Sequence, residues 1–164
     1  MLKSLLSNLA EQVLQDAVHA ELTASHTYKH IANQCQRLGL LGTAKYFLKE
    51  SSEELEHYQG IADYVNDRGS VAIIPALEAA AERIADLESA LTTAYNFEVN
   101  LGADYSRWYS SLLASDPTTA QFLLQYLEIQ RKSVGEYGDL LSRFELARGD
   151  KAAVLLMDKE LGKK

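Results

Sequence analysis

Pro75 and Pro117 are the only prolines among 164 residues, and neither falls inside a periodic segment. Long stretches are therefore free to run as unbroken helices. Apolar residues recur at alternating spacings of three and four, the mark of helices with one buried face. The pattern predicts a first helix from about Leu5 to Arg37, ended by "RLGLLG", and a second from about Leu41 to Asp67, stopped by "DRGS". "VAIIPALEAA" starts without such a stripe and reads as a long connection across the outside. A third helix is expected from about Arg83 to Ala114. In "SDP", Asp116 is the expected N-cap and Pro117 the first position of a fourth helix, which reaches about Ala147. "KAAVLLMDKEL" forms a short fifth segment. No strand-like alternation stands out. The expected fold is all-α: a four-helix bundle with a long connection between helices two and three and a short C-terminal helix, in one domain over residues 1–164. Short first and third connections make helices one and two antiparallel, and likewise three and four. The long connection lets helix three run in the same direction as helix two.

Composition narrows the function. Hydrophobic residues make up 47% of the chain, enough for a packed core. The net charge of -7 argues against nucleic-acid binding, which needs a basic patch, and suits a protein that attracts cations. Cys35 is the only cysteine, so no internal disulfide forms, and a reducing compartment is expected. The first residues are too polar after residue 6 for a signal peptide, and no apolar run approaches the ~18 residues of a membrane span. A cytoplasmic protein is expected, although a plastid protein without its transit peptide would look the same.

The buried stripes are interrupted in one consistent way. Helix one reads Leu14, Val18, Glu21, Ser25, Tyr28, Ala32, Cys35. Helix two reads Ala44, Phe47, Ser51, Glu54, Tyr58, Ile61, Val65. Helix three reads Leu87, Leu91, Ala94, Glu98, Leu101, Tyr105, Trp108, Leu112. Helix four reads Leu123, Leu127, Gln130, Val134, Tyr137, Leu141, Phe144. Glu21, Glu54, Glu98 and Gln130 each fall near a helix midpoint, so side-by-side packing brings them to one depth. Three unpaired carboxylates buried together are tolerable only if protonated or neutralised by a cation. A hard divalent metal with oxygen ligands is the natural answer. Glu54 and His57 project from one helix face, and Glu-x-x-His at this spacing is used by carboxylate-bridged di-iron bundles.

Taken alone, Glu-x-x-His is more often a solvated face, and the coincidence with Glu21 and Glu98 reverses that balance. Gln130 is about equally well read as an ordinary buried amide. Tyr28, Tyr105, Tyr126, Tyr137 and Trp108 read more readily as core than as cofactor contacts. Glu50, Glu53 and Glu56 read as solvent-facing, His19, His26 and His30 as surface or packing residues, and Cys35 as an inert buried thiol.

These residues resemble the ferritin family, and specifically the non-haem ferritins. "ELTASHTY" at 21–28 is similar to the first-helix motif, "AKYFLKESSEELEHY" at 44–58 to the second, and "DLESALTTAYNFEVN" carries the third-helix glutamate at Glu98. "FLLQYLEIQ" ends in Gln130, where non-haem ferritins place a glutamine, and "LLMDKELG" resembles the C-terminal helix. The resemblance implies a ferroxidase that oxidises Fe(II) with dioxygen and stores Fe(III) as mineral in a homo-oligomeric shell of twenty-four chains, with no membrane or nucleic acid involved. It implies two irons per subunit: one held by Glu21, Glu54 and His57, and a second bridged by Glu54 and held by Glu98. Gln130 would orient a bound water or oxygen species, and Tyr28 would hydrogen-bond near the site and supply an electron.

The chain departs from parts of the family pattern. The haem-ligating methionine of bacterioferritins falls at Leu55, so no haem is expected, and "EIQRKS" lacks their second Glu-x-x-His. A third iron site would need acids where Ile129, Lys132 and Ser133 stand. Its remaining member Glu53, with Glu50, is expected to serve as a metal ligand in transit. Acids of animal-type entry pores are replaced by Ala120 and Leu123. Two competing readings are a ferritin-like di-metal oxidase that stores no mineral and a non-catalytic structural bundle whose seam polars fix register.

Overall fold

The computed structural model describes residues 3–164. Five helices follow in order: α1 (Asn8–Arg37), α2 (Leu41–Asp67), α3 (Leu87–Leu112), α4 (Pro117–Ala147) and α5 (Lys151–Leu161). Among the described residues there is no strand, and no helix is long and apolar enough to cross a membrane. The all-α expectation holds, with α2 and α4 at the expected bounds.

Capping explains where the other bounds moved. Helix α1 starts at Asn8 rather than near Leu5 because Ser7 accepts from the Ala10 amide at 3.1 Å, while the Leu5 amide bonds to the Arg68 carbonyl at 2.9 Å. Helix α3 starts at Leu87 rather than Arg83. Asp86 and Ser89 form a reciprocal capping box there, and Gln34 of α1 clamps the backbone of Glu82 and Ile84 at 2.9 and 3.0 Å. Asp116 caps α4 and Pro117 opens it, as expected. Gly39, Gly69 and Gly149, at φ of 83°, 80° and 84°, take the left-handed conformation just beyond α1, α2 and α4.

Cross-helix pairs fix the topology. Leu5 with Arg68 and Ser25 with Ser51 make α1 and α2 antiparallel. Tyr28 with Glu98 and Tyr105 with Glu21 do the same for α1 and α3. Tyr137 with Glu50, Tyr126 with His57 and Tyr64 with Thr119 make α4 antiparallel to α2. Helices α2 and α3 therefore run in the same direction, and the connection over 68–86 must return the chain along the bundle. It does so beside α1, where Gln15 holds Ile73 and Gln34 holds Ile84.

Two apolar clusters fill the bundle. One contains Tyr28, Ile31, Phe47, Leu91 and Tyr137; the other contains Val18, Ile61, Leu101, Tyr105, Leu123 and Tyr126. The predicted stripes of α1 and α3 are buried throughout, and that of α2 at every position but Tyr58. On α4 the buried face is rotated from the expected one. Tyr126 and Leu140 are buried, whereas Leu127, Val134 and Leu141 are only half-buried.

Helix α5 is held by a cap it supplies to another helix. Leu40, at the N-cap of α2, offers no side-chain hydrogen bond. Asp158 of α5 takes over, accepting from the Gly42 amide at 3.1 Å, the Thr43 amide at 2.7 Å and the Thr43 hydroxyl at 2.7 Å. Its charge also suits the positive end of α2. Approach is close because residue 42 is glycine: a Cβ there would lie 1.8 Å from the Asp158 carbonyl oxygen. Asp158→Ala is expected to destabilise this junction by about 1 kcal/mol, speeding exchange of the Gly42 and Thr43 amides roughly fivefold. Hydrogen-exchange mass spectrometry checks this; unchanged protection would show that α5 docks without the cap.

Candidate metal centre

A polar layer separates the two apolar clusters at mid-height. Glu21 and Ser25 come from α1, Ser51 and Glu54 from α2, Glu98 from α3 and Gln130 from α4, and all six are buried. The expected common depth is therefore observed. The serines lock α1 to α2, with the Ser51 hydroxyl 2.9 Å from both the Ser25 carbonyl and hydroxyl.

Glu21, Glu54 and His57 form one compact group whose ligand atoms lie within 4.8 Å of one another. His57 Nδ1 stands 2.9 Å from Glu54 Oε2 and 3.7 Å from Glu21 Oε2. Glu98 stands outside this group. Its Oε1 accepts from the Tyr28 hydroxyl, and the Gln130 amide, turned with its nitrogen toward Glu98, donates to Oε2 at 2.6 Å. Gln130 is thus bonded to the carboxylate beside it. Tyr105, read from the sequence as core, donates to Glu21 Oε1. Its position seven residues after Glu98 repeats the spacing of Tyr28 after Glu21, and that was the available signal. Neither Arg107 nor Lys132 reaches Glu98; they pair with Asp104 and Glu128.

Glu50 and Glu53 do not join the group. Glu53 is 3.4 Å from Lys49, with both side chains about half exposed. Glu50 is turned toward α4 and accepts from the Tyr137 hydroxyl at 3.2 Å. Burial, reinforced by Glu53 and Glu136, pushes its carboxyl up to about 7. It is therefore less solvated than its reading as a solvent-facing residue implied.

Electrostatics show what the layer lacks. Burial pushes Glu98 up to about 7, the Tyr28 hydrogen bond opposing and the charge on Glu21 reinforcing the rise. Burial also raises Glu54 despite its hydrogen bond to His57. For His57, burial alone would lower the value, but the hydrogen bond to Glu54 and the nearby charges of Glu21 and Glu54 outweigh it and push the imidazole up to about 10. One imidazolium faces three carboxylates. Glu21 Oε2 is buried with no hydrogen-bond partner. An orphaned carboxylate oxygen beside another carboxylate and an imidazole nitrogen is the donor set of a hard or borderline divalent cation.

Comparison with known proteins fits this geometry. The Ferritin-like domain profile matches residues 11–147. A bacterial non-heme ferritin of Staphylococcus aureus is 30% identical over 165 residues, covering 96% of each chain. The chain belongs to the non-haem ferritin family. A non-heme ferritin-like protein of Haemophilus influenzae is 27% identical over 159 residues, again across 96% of both chains. The open-pore ferritin of Archaeoglobus fulgidus superimposes with a TM-score of 0.93 at 25% identity, over 97% of this chain and 98% of the other. As a ferritin, the protein binds iron and serves in iron storage.

The raised carboxyls give a pH signature. Glu98 titrates near 7 when folded against an ordinary value of 4.5, and Glu54 moves the same way. Both take up protons on folding, so the stability they lend the metal-free protein is lost as pH rises from about 4.5 through about 7. A divalent cation replaces those protons and removes the penalty. The melting-temperature gap between Zn(II)-loaded and metal-free protein is expected to widen across that window. Calorimetry at several pH values checks it; a gap independent of pH would contradict these shifts.

Proposed function

We propose that this ferritin is a ferroxidase, oxidising Fe(II) with dioxygen at a two-iron centre within each subunit and storing the Fe(III) as mineral inside a shell of twenty-four chains. The observation that carries the reading is the convergence of Glu21, Glu54 and His57 on a buried, orphaned carboxylate oxygen at the centre of the bundle.

Iron is the substrate, and the chain's residues bind it and balance its charge. One Fe(II) is taken by Glu21, Glu54 and His57, whose imidazole gives up its proton on binding. Glu54 bridges to a second Fe(II) held by Glu98, which must first yield the hydrogen bonds it accepts from Tyr28 and Gln130. Two ferrous ions bring four positive charges against three carboxylates, in place of one imidazolium. Carboxylate oxygens favour Fe(III) over Fe(II) and so assist oxidation. Gln130 holds the Glu98 carboxylate until iron arrives and, once released, can orient a bound water or oxygen species, while Tyr28 can give an electron and a proton as Glu98 shifts. Glu50 and Glu53, on the same helix and outside the centre, are transit ligands for the departing Fe(III).

Assembly is supported by apolar surface that one subunit leaves open. Leu146 is 91% exposed, and Leu155 and Leu156 on α5 are 58% and 57% exposed. The bacterial and archaeal relatives favour a cytoplasmic protein over a plastid one.

Glu54→Ala and His57→Ala are each expected to abolish rapid Fe(II) oxidation, a loss of 100-fold or more on the order of other metal-centre disruptions, while leaving particle size unchanged. Stopped-flow absorbance with size-exclusion light scattering tests both. Wild-type rates in the two variants would refute the centre. Oxidation without retained iron would favour the non-storing oxidase, and particles far below twenty-four chains would remove the shell. Gln130→Glu is expected to alter decay of the oxidised centre without preventing ferrous binding; a variant matching wild type in the same assay would leave Gln130 a packing residue.

A further inference from the structure

Glu21 and Tyr28 stand two helical turns apart on α1, and Glu98 and Tyr105 stand two turns apart on α3. Because α1 and α3 are antiparallel, each tyrosine reaches the other helix's glutamate. Tyr28 donates to Glu98 Oε1 and Tyr105 donates to Glu21 Oε1. Both rings are fully buried, on opposite sides of the polar layer. The centre is thus flanked by two phenols in equivalent settings.

We propose that Tyr105 is a second redox-active tyrosine, which gives up one electron while passing its proton to Glu21 during dioxygen reduction. This rests on the ferroxidase reading above. A phenol hydrogen-bonded to a carboxylate loses its electron and proton together, leaving a neutral radical in place of a buried charge. The two oxygens of Glu21 divide the work: Oε2 faces His57 and the metal position, and Oε1 receives the Tyr105 proton.

The surroundings of Tyr105 suit a radical. Its ring stacks on Tyr126 at 5.3 Å with planes 5° apart, and meets Trp108 edge-on at 5.1 Å. Tyr126 in turn meets Phe122 at 5.5 Å, and Phe122 stacks on Tyr64 at 3.9 Å. A line of aromatic rings therefore leads from Glu21 toward the half-buried Tyr64. Tyr28 sits instead with Phe47 and Tyr137 in the other cluster and also meets Phe97, which packs against the Tyr105 cluster; none of these rings is a partner of Tyr105. The two phenols have different ring partners and can be distinguished experimentally.

The electrons balance. Converting one dioxygen to two waters takes four electrons and four protons. Two Fe(II) supply two electrons as they become Fe(III). Tyr28 and Tyr105 supply one electron and one proton each as their O–H bonds break, and solvent supplies the other two protons. The O–O bond breaks and four O–H bonds form. Each phenoxyl radical then returns to phenol by taking one electron from a further Fe(II) and one proton. With Tyr105 absent the centre is one electron short, and the two-electron product, hydrogen peroxide, is released.

Freeze-quench electron paramagnetic resonance on Fe(II)-loaded protein mixed with dioxygen tests this. With two Fe(II) per centre, the unmodified protein is expected to give two tyrosyl spins per centre, narrowed by ring-deuterated tyrosine, and the signal should be lost in Tyr105→Phe as in Tyr28→Phe, each being one electron short. In Tyr105→Phe the Fe(II) consumed per dioxygen should fall from about four toward about two, as the electron count above requires, with peroxide appearing in proportion. Anaerobic Fe(II) binding should keep its wild-type stoichiometry, which separates electron supply from a merely structural bond to Glu21. The proposal is overturned if the unmodified protein gives no more than one tyrosyl spin per centre, or if Tyr105→Phe loads iron normally and keeps the full Fe(II)-to-dioxygen ratio. Failure of the unmodified protein to oxidise Fe(II) rapidly would overturn the ferroxidase reading itself, and this proposal with it.

Discussion

Three carboxylates buried in the middle of an apolar bundle are the constraint on which this structure depends. A bundle of this length could fill its seam with apolar and aromatic side chains, as it does above and below the polar layer. Glu21, Glu54 and Glu98 interrupt that packing at one depth, and protein groups compensate them only in part. Burial shows in the raised Glu98 and Glu54 carboxyls, and the unmet charge in a His57 held protonated to about 10. Without a cation the layer is a destabilising insertion of kinds known to cost several kcal/mol when unpaired. With one, the same groups become ligands.

The compensation that does exist is specific. Tyr28 and Gln130 serve Glu98, Tyr105 serves Glu21, and His57 serves Glu54. Every carboxylate is thus oriented by a donor that itself sits in a packed position, which pre-organises the centre before metal arrives. The exception is Glu21 Oε2, left free where the metal position is expected. Elsewhere the fold protects this arrangement. Ser25 and Ser51 hold α1 against α2 beside the centre, and the long connection frees α3 to bring Glu98 alongside α1 with the register that pairs each glutamate with the opposite tyrosine.

Much of this was legible in the sequence, because the signals were periodic and local. Stripe counting on α1, α2 and α3 placed Glu21, Glu54 and Glu98 in the seam, and helix-stop residues placed most boundaries. What escaped depended on contacts between distant segments. Asp158 caps α2 from more than a hundred positions away, and nothing near Leu40 reveals it. Tyr105 passed as core because its hydrogen bond exists only once α1 and α3 are set antiparallel in register. On α4, counting at strict three-four spacing chose Leu127 and Leu141, whereas the helix presents Tyr126 and Leu140 to the core. Leu123, Gln130, Tyr137 and Phe144 are buried as counted, so the seven-residue period holds along the helix; the count misplaced only the position between them, where the core takes the residue on the other flank. Glu98's separation from the compact Glu21–Glu54–His57 group was likewise invisible, since depth along a helix does not say which donor claims a carboxylate.

The central claim is that these acids are buried because iron neutralises them. Anomalous diffraction at the iron edge, from crystals soaked anaerobically in ferrous salt, tests it most directly. Two peaks per subunit are expected, one among Glu21, Glu54 and His57 and one between Glu54 and Glu98, with Glu98 drawn away from Tyr28. A map with no iron among these residues, and the Tyr28–Glu98 and Tyr105–Glu21 hydrogen bonds unchanged, would contradict the account.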